Sequence, residues 1–346
     1  MALEAGNKPR PTTIADVARL ANVVPSTVSH ALNGTAPISQ EVRERVLRIA
    51  RELNYRPSAV ARSLLSGRTM TMGMLVADIL DPHFPDIISG VESALAGAHY
   101  DLLLCSAAGN SERMTAFLDS LASKRVDVVI VITDGLSSEV LASIAKSPVP
   151  TVLVNSAAAK TEQAVHVTPD LMTGMHAAFD HLRELGHESI ALMTDEMSEN
   201  AAYEAIAIAA WEQSGGARQD VLLVAGNSRL DGGRMALEGV LAAQPRPTAL
   251  IAVSDMAAIG VIQAAEEQGL RIPRFLSVIG IGDIVSASLV NPPLTTIALP
   301  RKEIGAAAAA RALSMVGGSG EVDSESQVWL PTRLIIRRST GSPLHR

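Results

Sequence analysis

The sequence predicts an α/β protein in which a small N-terminal head of three helices precedes a larger core built on parallel sheets. Short, capped amphipathic patterns fill the stretch before Tyr55, and from Met72 onward apolar runs alternate with helical patterns. The charge changes sign at the same place. Through Arg68 there are ten Lys and Arg against five Asp and Glu, whereas the remainder carries a net charge of −12. A basic head on an acidic body attracts a polyanion to one end of the chain.

The head is predicted as three helices with a tight turn between the first two. Thr13 and Asp16 form a T-x-x-D start, in which the threonine oxygen satisfies an orphan backbone N–H and the acid favours the positive helix end. Pro25 suits the first position of the second helix, and an Asn-Gly pair suits its end. Ser39 can cap the third helix. The apolar residues that the first and third helices place on one face are Ile14, Val17, Ala18, Ala21, Val42, Val46, Ile49 and Leu53.

The second helix, in the segment PSTVSHALN, has two different faces. Val28, Ala31 and Leu32 can face a small core. The residues left to face outward are Pro25, Ser26, Ser29 and His30. Side chains this short let the backbone approach base edges, and Thr27 can reach a phosphate. Three helices of these lengths predict a helix-turn-helix domain whose second helix enters the major groove of DNA.

Eight continuous apolar runs in the core predict strands that are buried on both faces. They are MGMLVA, DLLLC, VDVVIVI, PTVLVN, SIALM, DVLLV, TALIAV and FLSVIGI. The helical spans between them are 84–97, 111–123, 137–146, 170–185, 198–214, 231–243 and 255–268. Alternating strands and helices imply parallel sheets with right-handed crossovers, and eight strands indicate two sheets rather than one.

Long segments of the chain resemble one family. They are TIADVARLANVVPSTVSHALNG and ISQEVRERVLRIARELNYRPSAVARSLLSGRT near the N-terminus, then ELGHESIALM, AVSDMAAIGVIQAAEEQGLRIP, NPPLTTIALP and PTRLIIRRST. Their order and spacing resemble the lactose/galactose repressor (LacI/GalR) family over roughly residues 12–340. The resemblance implies a helix-turn-helix head, a hinge helix and a two-lobed, periplasmic-binding-protein-like core with parallel sheets.

The resemblance also implies where the parts of the chain begin and end. The three parts are a DNA-binding domain over 1–57, a hinge helix and linker over 58–70, and an effector-binding core over 71–346. The N-terminal lobe would hold about 71–169 plus 299–325, and the C-terminal lobe about 170–298 plus 326–340. Linkers would cross between the lobes near 169–170 and 298–299. A small ligand is expected in the cleft between such lobes.

The resemblance implies a set of DNA contacts as well. Bases would be read from Pro25, Ser26 and His30, and the backbone contacted from Thr13, Thr27, Ser29 and Asn33. Hinge contacts would come from Ala61, Arg62, Leu64 and Leu65, with a leucine opening a base step in the minor groove. Val24 departs from the family, which usually has a serine N-cap there; losing such a cap costs about 1 kcal/mol. A surface role for His30 and a hinge packed on the core stay open as alternatives.

The cleft is where the sequence departs most from its relatives. Relatives have a helix with the pattern R-x-x-G-[FY], and here Tyr203 and Ile206 occupy its Arg and Gly positions. Relatives also have a turn with the pattern G-[FYV]-D-[DN], and here Gly282 occupies the position of its first acid. Without them the cleft lacks the groups best suited to a carboxylate or to paired sugar hydroxyls. The candidate effector contacts are His83, Phe84, Tyr203, Ser228, Ser254, Asp255 and Asp283. This set predicts a smaller or less polar ligand, or none, and Phe84 fits the core equally well.

Signals for other classes of protein are weak. The sequence has no phosphate-loop lysine motif, no H-E-x-x-H and no G-x-S-x-G, and GIGDIV lacks the third glycine of a dinucleotide site. We therefore expect no catalysis, no cofactor and no metal. Cys105 is the single cysteine and can form no intrachain disulfide. The absence of a long apolar run and of a secretory start predicts a cytoplasmic, nucleoid-associated protein with no membrane partner.

The sequence thus predicts a homodimeric transcription regulator, most simply a repressor. It would bind a near-palindromic, double-stranded operator, and a small molecule of unknown identity in the core would modulate its affinity. Two other hypotheses stand beside this one. The chain could be a small-molecule receptor without regulatory DNA binding, or an enzyme on a doubly wound scaffold.

Overall fold

The computed structural model describes residues 12–33, 36–55, 67–132, 136–154, 164–195, 201–317 and 327–344. The chain forms two compact units, Met1–Thr69 and Met70–Arg346. The first unit holds the three-helix head. The second holds two sheets of parallel strands covered by helices, which confirms the predicted α/β class.

The head consists of α1 (Ile14–Ala21), α2 (Pro25–Asn33) and α3 (Gln40–Glu52). The Asp16 carboxylate accepts hydrogen bonds from the Thr13 N–H (3.0 Å) and from the Thr13 hydroxyl (2.7 Å), so the acid holds the start of α1. The Ser39 hydroxyl accepts from the Val42 N–H at 3.4 Å and caps α3 as predicted. The three helices enclose a small apolar core of Val17, Ala18, Ala21, Val28, Ala31, Val46, Ile49 and Ala50.

The first lobe of the core is built on a sheet of six described strands in the order β11-β5-β4-β3-β1-β2, all of them parallel. The strands are β1 (Thr71–Val76), β2 (Asp101–Ser106), β3 (Val128–Ile132), β4 (Thr151–Val154), β5 (Ala164–Asp170) and β11 (Gln327–Pro331). One face packs against α4 (Phe84–Leu95) and α12 (Arg301–Gly317). The other face packs against α5 (Ser111–Ser123) and α6 (Ser138–Lys146).

The second lobe repeats this architecture with the strand order β12-β10-β9-β8-β6-β7. Its strands are β6 (Ile190–Asp195), β7 (Val221–Gly226), β8 (Ala249–Ile251), β9 (Ser277–Gly282), β10 (Thr295–Ala298) and β12 (Arg333–Ile335). The helices on one face are α7 (Leu171–Glu184) and α8 (Ala201–Gln213). Those on the other are α9 (Leu230–Ala242) and α10 (Asp255–Glu267), and a short helix α11 (Val285–Leu289) follows β9. Only the β10–β12 pairing is antiparallel among the described ladders.

The structure corrects the strand prediction in two ways. The four strands β5, β10, β11 and β12 were not predicted, because AVHVTPD, TTIA and QVWLP mix polar and apolar residues and no long apolar run marks them. The prediction that the C-terminal lobe resumes at about 326 is also wrong. β11 pairs in parallel with β5, from Gln327 opposite His166 to Pro331 opposite Asp170, so this strand belongs to the first lobe.

Three chain crossings join the lobes. The chain passes from β5 to α7 at Asp170, from β10 to α12 through Leu299 and Pro300, and from β11 to β12 at Thr332. The Thr332 hydroxyl donates to the Asp170 carbonyl at 2.6 Å, which ties the first crossing to the third. One hydrogen bond thus joins two of these three crossings.

A buried histidine holds the C-terminal segment against the second lobe. His187 is 1% exposed; its Nδ1 lies 2.7 Å from the Thr248 hydroxyl and its Nε2 lies 3.0 Å from the Gly341 carbonyl. The Ser277 hydroxyl also donates to Gly341 O at 3.0 Å. Burial lowers the pKa of His187, because an imidazolium cannot be hydrated there.

Acidification is expected to destabilise the core through His187. Its folded-state pKa lies below the unfolded value of about 6.5, so the unfolded chain binds the extra proton first as the pH falls. The free energy of unfolding should therefore decrease below about pH 6.5. In His187→Gln this pH dependence should become flatter, as measured by urea unfolding at about pH 7.5 and about pH 5.5.

A cavity variant supplies the control for this experiment. Leu237→Ala lowers stability at a fully buried position without removing a titratable group, so its pH dependence should match the parent chain. A His187→Gln chain with the parent's pH dependence would contradict the assignment.

Candidate DNA-binding surface and interlobe cleft

Helix α2 presents a short polar surface opposite the core of the head. Val28 and Ala31 are 0% and 1% exposed and fix which side of the helix faces inward. Of the predicted DNA contacts on this helix, Pro25 and Ser26 are exposed, and Thr27, Ser29 and His30 are half-buried. The major groove of DNA admits an α-helix, and small residues at the N-terminal turn of α2 would let its backbone approach the base edges.

The start of α2 lacks a side-chain cap, as Val24 predicts. Val24 is 60% exposed, and its carbonyl accepts from the N–H groups of Thr27 (2.9 Å) and Val28 (3.3 Å). Pro25 follows at the first helical position, where its missing N–H costs nothing. The helix forms despite the absent hydroxyl because Val28 and Ala31 on its apolar face are buried in the core of the head.

Some predicted contacts lie where the structure gives no description. Ala61, Arg62, Leu64 and Leu65 are outside the described residues, as are the other residues of 58–66 in the predicted hinge helix and linker. Asn33 ends α2. Thr13 is described, and its hydroxyl donates to Asp16.

In the core, Asp255 is a buried structural carboxylate at the start of α10. It is 1% exposed and accepts from the Thr296 hydroxyl at 2.5 Å and from the Ile284 N–H at 2.8 Å. Burial raises the pKa of Asp255, while the two hydrogen bonds oppose that rise. Its oxygens thus hold β10 and the turn after β9, which are elements of its own lobe.

The turn after β9 is fixed by a second carboxylate. Asp283 has φ +58°, its N–H donates to the Thr296 hydroxyl at 3.3 Å, and one carboxylate oxygen accepts from Arg337 at 2.5 Å. Gly282 precedes it with φ +135°, a backbone conformation that side chains rarely adopt. The glycine at this position therefore permits this sharp turn.

Ser228 and Ser254 lie in loops that follow strands of the second sheet, and a hydrogen bond joins them. The Ser254 hydroxyl donates to the Ser228 carbonyl at 2.7 Å and accepts from the Ala257 N–H at 3.0 Å. Ser254 is thus the N-cap of α10, and it ties the loop after β7 to the loop after β8.

The first-lobe candidates stand at the start of α4. Phe84 is 1% exposed and belongs to the apolar core, with the His83 ring edge-on at 5.8 Å. Desolvation lowers the pKa of His83 to about 4, with the nearby Arg301 charge acting in the same direction and Asp81 and Asp86 opposing it. The ring stays neutral at physiological pH.

Tyr203 lies on α8 and packs against the second-lobe core. Its hydroxyl oxygen is buried and has no hydrogen-bond partner among the described residues, and burial raises the pKa of this phenol. A buried hydroxyl without a partner is costly, so a ligand that bonds to it would recover that cost.

Sequence reasoning missed Arg301 and Asp86. Arg301 opens α12 and its guanidinium contacts Asp86, the Gly282 carbonyl and the Asp283 carbonyl. The available signal was its position, directly after the predicted crossing at 298–299. A side chain at that point lies next to a chain crossing and can reach groups of both lobes.

No group of three or more His, Cys, Asp or Glu side chains in the described ranges could hold a metal ion. No described helix is long and apolar enough to cross a bilayer.

The fold and site define a class of protein: a helix-turn-helix head joined to a two-lobed binding core. Two family models agree with this description. Residues 13–58 match "Bacterial regulatory proteins, lacI family", and residues 179–340 match "Periplasmic binding protein-like domain".

Full-length relatives extend the match to nearly the whole chain. The HTH-type transcriptional repressor PurR of Vibrio atlanticus (strain LGP32) is 33% identical over 336 residues, 96% of this chain and 99% of that protein. Catabolite control protein A of Priestia megaterium is 34% identical over 95% of this chain and 99% of its own length. The crystal structure of the lac repressor dimer bound to operator and the anti-inducer ONPF superimposes with TM-score 0.81 at 25% identity, covering 96% of this chain and 100% of that one. The chain belongs to the lacI family of DNA-binding transcriptional regulators.

Proposed function

We propose that this chain is a homodimeric repressor that binds a near-palindromic operator through α2 and responds to a small molecule in its interlobe cleft. The observation that carries the proposal is the surface of α2. Val28 and Ala31 anchor its buried face, so its polar face points away from the core of the head. The segment through Arg68, which contains this helix, carries more basic than acidic residues.

Each predicted DNA contact has a proposed role. Pro25, Ser26 and His30 meet base edges, and a histidine N–H can donate to the N7 or O6 of a purine. Thr13, Thr27, Ser29 and Asn33 contact phosphates and fix the register of the helix. Ala61, Arg62, Leu64 and Leu65 would act in the minor groove at the centre of the site.

The relatives support the dimer and the operator. The lac repressor structure is that of a dimer bound to operator, and two-fold protein symmetry requires a two-fold related pair of half-sites. A regulator of this kind works where the DNA is, so we place it in the cytoplasm at the nucleoid.

The candidate contacts in the cleft favour a small and weakly polar effector. Asp255 and Asp283 use their carboxylates within the protein, and Phe84 lies in the core. The principal candidate contacts are His83, Tyr203 and Ser228. The hydroxyl of Ser254, the remaining candidate, bonds to the Ser228 carbonyl and to the Ala257 N–H. Among these the Tyr203 hydroxyl is the strongest, because it is buried without a partner among the described residues. Related structures contain cellobiose and ribose, which are more polar than this set favours.

We assign no catalytic step to the cleft, since the relatives are repressors and the candidate contacts form no nucleophile–base pair. The receptor hypothesis differs from ours in one measurable property, which is specific DNA binding.

Selection from random double-stranded DNA tests the proposal. We expect enrichment of two related half-sites, bound by two chains with at least about 10³-fold preference over random DNA at a stated salt concentration. A thermal-shift screen of metabolites then identifies the effector, because a ligand of the folded state raises Tm. Binding without sequence preference, or by a single chain, would overturn the proposal.

A further inference from the structure

We propose that Arg301 is a built-in latch that ties the two lobes together without any small molecule. Its guanidinium bonds to both sides of the cleft at once. On the first-lobe side, Nη2 and Nε donate to one Asp86 carboxylate oxygen at 2.8 and 3.1 Å. On the second-lobe side, Nη1 donates to the Gly282 carbonyl and Nη2 donates to the Asp283 carbonyl at 3.0 Å.

The first-lobe side of the latch is rigid. Asp86 lies in the first turn of α4 and Arg301 is the first residue of α12, and these two helices touch through their backbones. A Cβ atom on Gly90 would come within 2.2 Å of the Lys302 carbonyl, and one on Gly305 within 2.1 Å of the Ile87 carbonyl. The two helices cannot slide apart without losing this packing, so the Asp86–Arg301 pair moves with the first lobe as one piece.

The second-lobe side is equally fixed. The two accepting carbonyls belong to the turn after β9, whose backbone is held from three directions. Thr296 accepts from the Asp283 N–H, Asp255 accepts from the Ile284 N–H, and Arg337 pairs with the Asp283 carboxylate. The carbonyls of Gly282 and Asp283 are therefore presented to Arg301 at a constant position in the second lobe.

The burial and shape of the guanidinium suit a bridge. The Arg301 side chain is 9% exposed, whereas the Asp86 side chain is 40% exposed. A planar guanidinium can donate in several directions at once, which the single ammonium of lysine cannot match in a fixed geometry. If the lobes rotated apart, buried donors and carbonyls would separate and lose their partners. In many two-lobed proteins a bound ligand makes such cross-cleft bonds; here a side chain of the protein makes them.

The latch can be tested by measuring the distance between the lobes in the unliganded full chain. Spin labels are placed at Asp119→Cys on α5 and Glu212→Cys on α8, both exposed, in a Cys105→Ser background. Pulsed electron–electron double resonance is measured on labelled chain mixed with an excess of unlabelled chain, so that each dimer carries one labelled pair. It should give one narrow distance distribution. Arg301→Gln and Asp86→Asn should each shift or widen that distribution by more than about 2 Å.

Two further variants sharpen the test. Arg301→Lys keeps the charge beside Asp86 but not the multiple bonds, so its shift should be smaller than that of Arg301→Gln. Arg234→Gln is the matched control, since Arg234 pairs with Glu267 at 2.6 Å inside the second lobe, and it should leave the distribution unchanged. Asp86 is half-buried, so Asp86→Asn should disturb folding less than a change at Arg301. This variant therefore tests the latch even if an Arg301 variant does not fold. Distributions identical to the parent in the two latch variants, or an equal shift in Arg234→Gln, would overturn the proposal.

Discussion

Replacing His30 with alanine is expected to weaken binding to the selected operator by roughly 5- to 150-fold for each head that contacts it, which corresponds to about 1–3 kcal/mol per lost base contact. Binding to random DNA should change little, because that binding rests on phosphates and on the charge of the head. Titrations at two salt concentrations measure the affinity for the operator and the affinity for random DNA. The ratio of these two affinities should fall in the variant. The preference for the base opposite His30 should relax in the same experiment.

The matched control for this variant is an exposed histidine outside the head. His99 lies in the core unit at φ +58°, and His99→Asn removes the imidazole while keeping a residue that tolerates this backbone conformation. Its operator affinity should equal that of the parent. Equal affinities for His30→Ala and the parent would mean that His30 only covers the surface of the head.

Placing an acid in the core of the head should abolish operator binding. Val28 is 0% exposed, and Val28→Asp removes an apolar side chain from the centre of the three helices and puts a charge in its place, a cost of about 3 kcal/mol or more. A head of this length has a folding free energy on the order of 3–9 kcal/mol, so much of its stability is lost. Hydrogen exchange should show unprotected amides in α1 and α2, with loss of specific binding.

Substitution by aspartate at an exposed position separates the effect of unfolding from the effect of the added negative charge. Leu20 is 54% exposed on α1, and Leu20→Asp adds the same negative charge without entering the core. This variant should fold and lose affinity only through electrostatic repulsion, which salt would screen. The core unit should melt as in the parent in both variants. Retention of parent-like operator affinity by Val28→Asp would contradict the described packing of α2.

Local sequence patterns located most of the helices, although the spans predicted between the apolar runs did not include α11 or α12. The predicted spans 111–123 and 255–268 correspond to Ser111–Ser123 and Asp255–Glu267, and the three head helices begin next to the predicted caps. These signals are local, because a cap and an apolar stripe lie within a few residues of each other. Apolar runs located eight strands for the same reason.

The strands that were missed share a different property. β10 and β12 are short, and β5 and β11 carry polar residues, so their strand character comes from the neighbours with which they pair. β11 in particular becomes a first-lobe strand only because β5 presents an open edge to it. Pairing between segments far apart in the chain leaves no mark in either segment alone.

The sequence by itself determined the class of this protein: the capped helices of the head, the alternating core, the basic N-terminal end and the polar face of α2 are all local features of the chain. The tertiary structure alone decided which polar groups remain for a ligand. Asp255 and Asp283 are committed to Thr296, Ile284 and Arg337, and Arg301 reaches Asp86 across 215 residues of chain. The physical reason is that a hydrogen bond depends on distance and direction in space, and residues so far apart along the chain are brought together only when both lobes have folded.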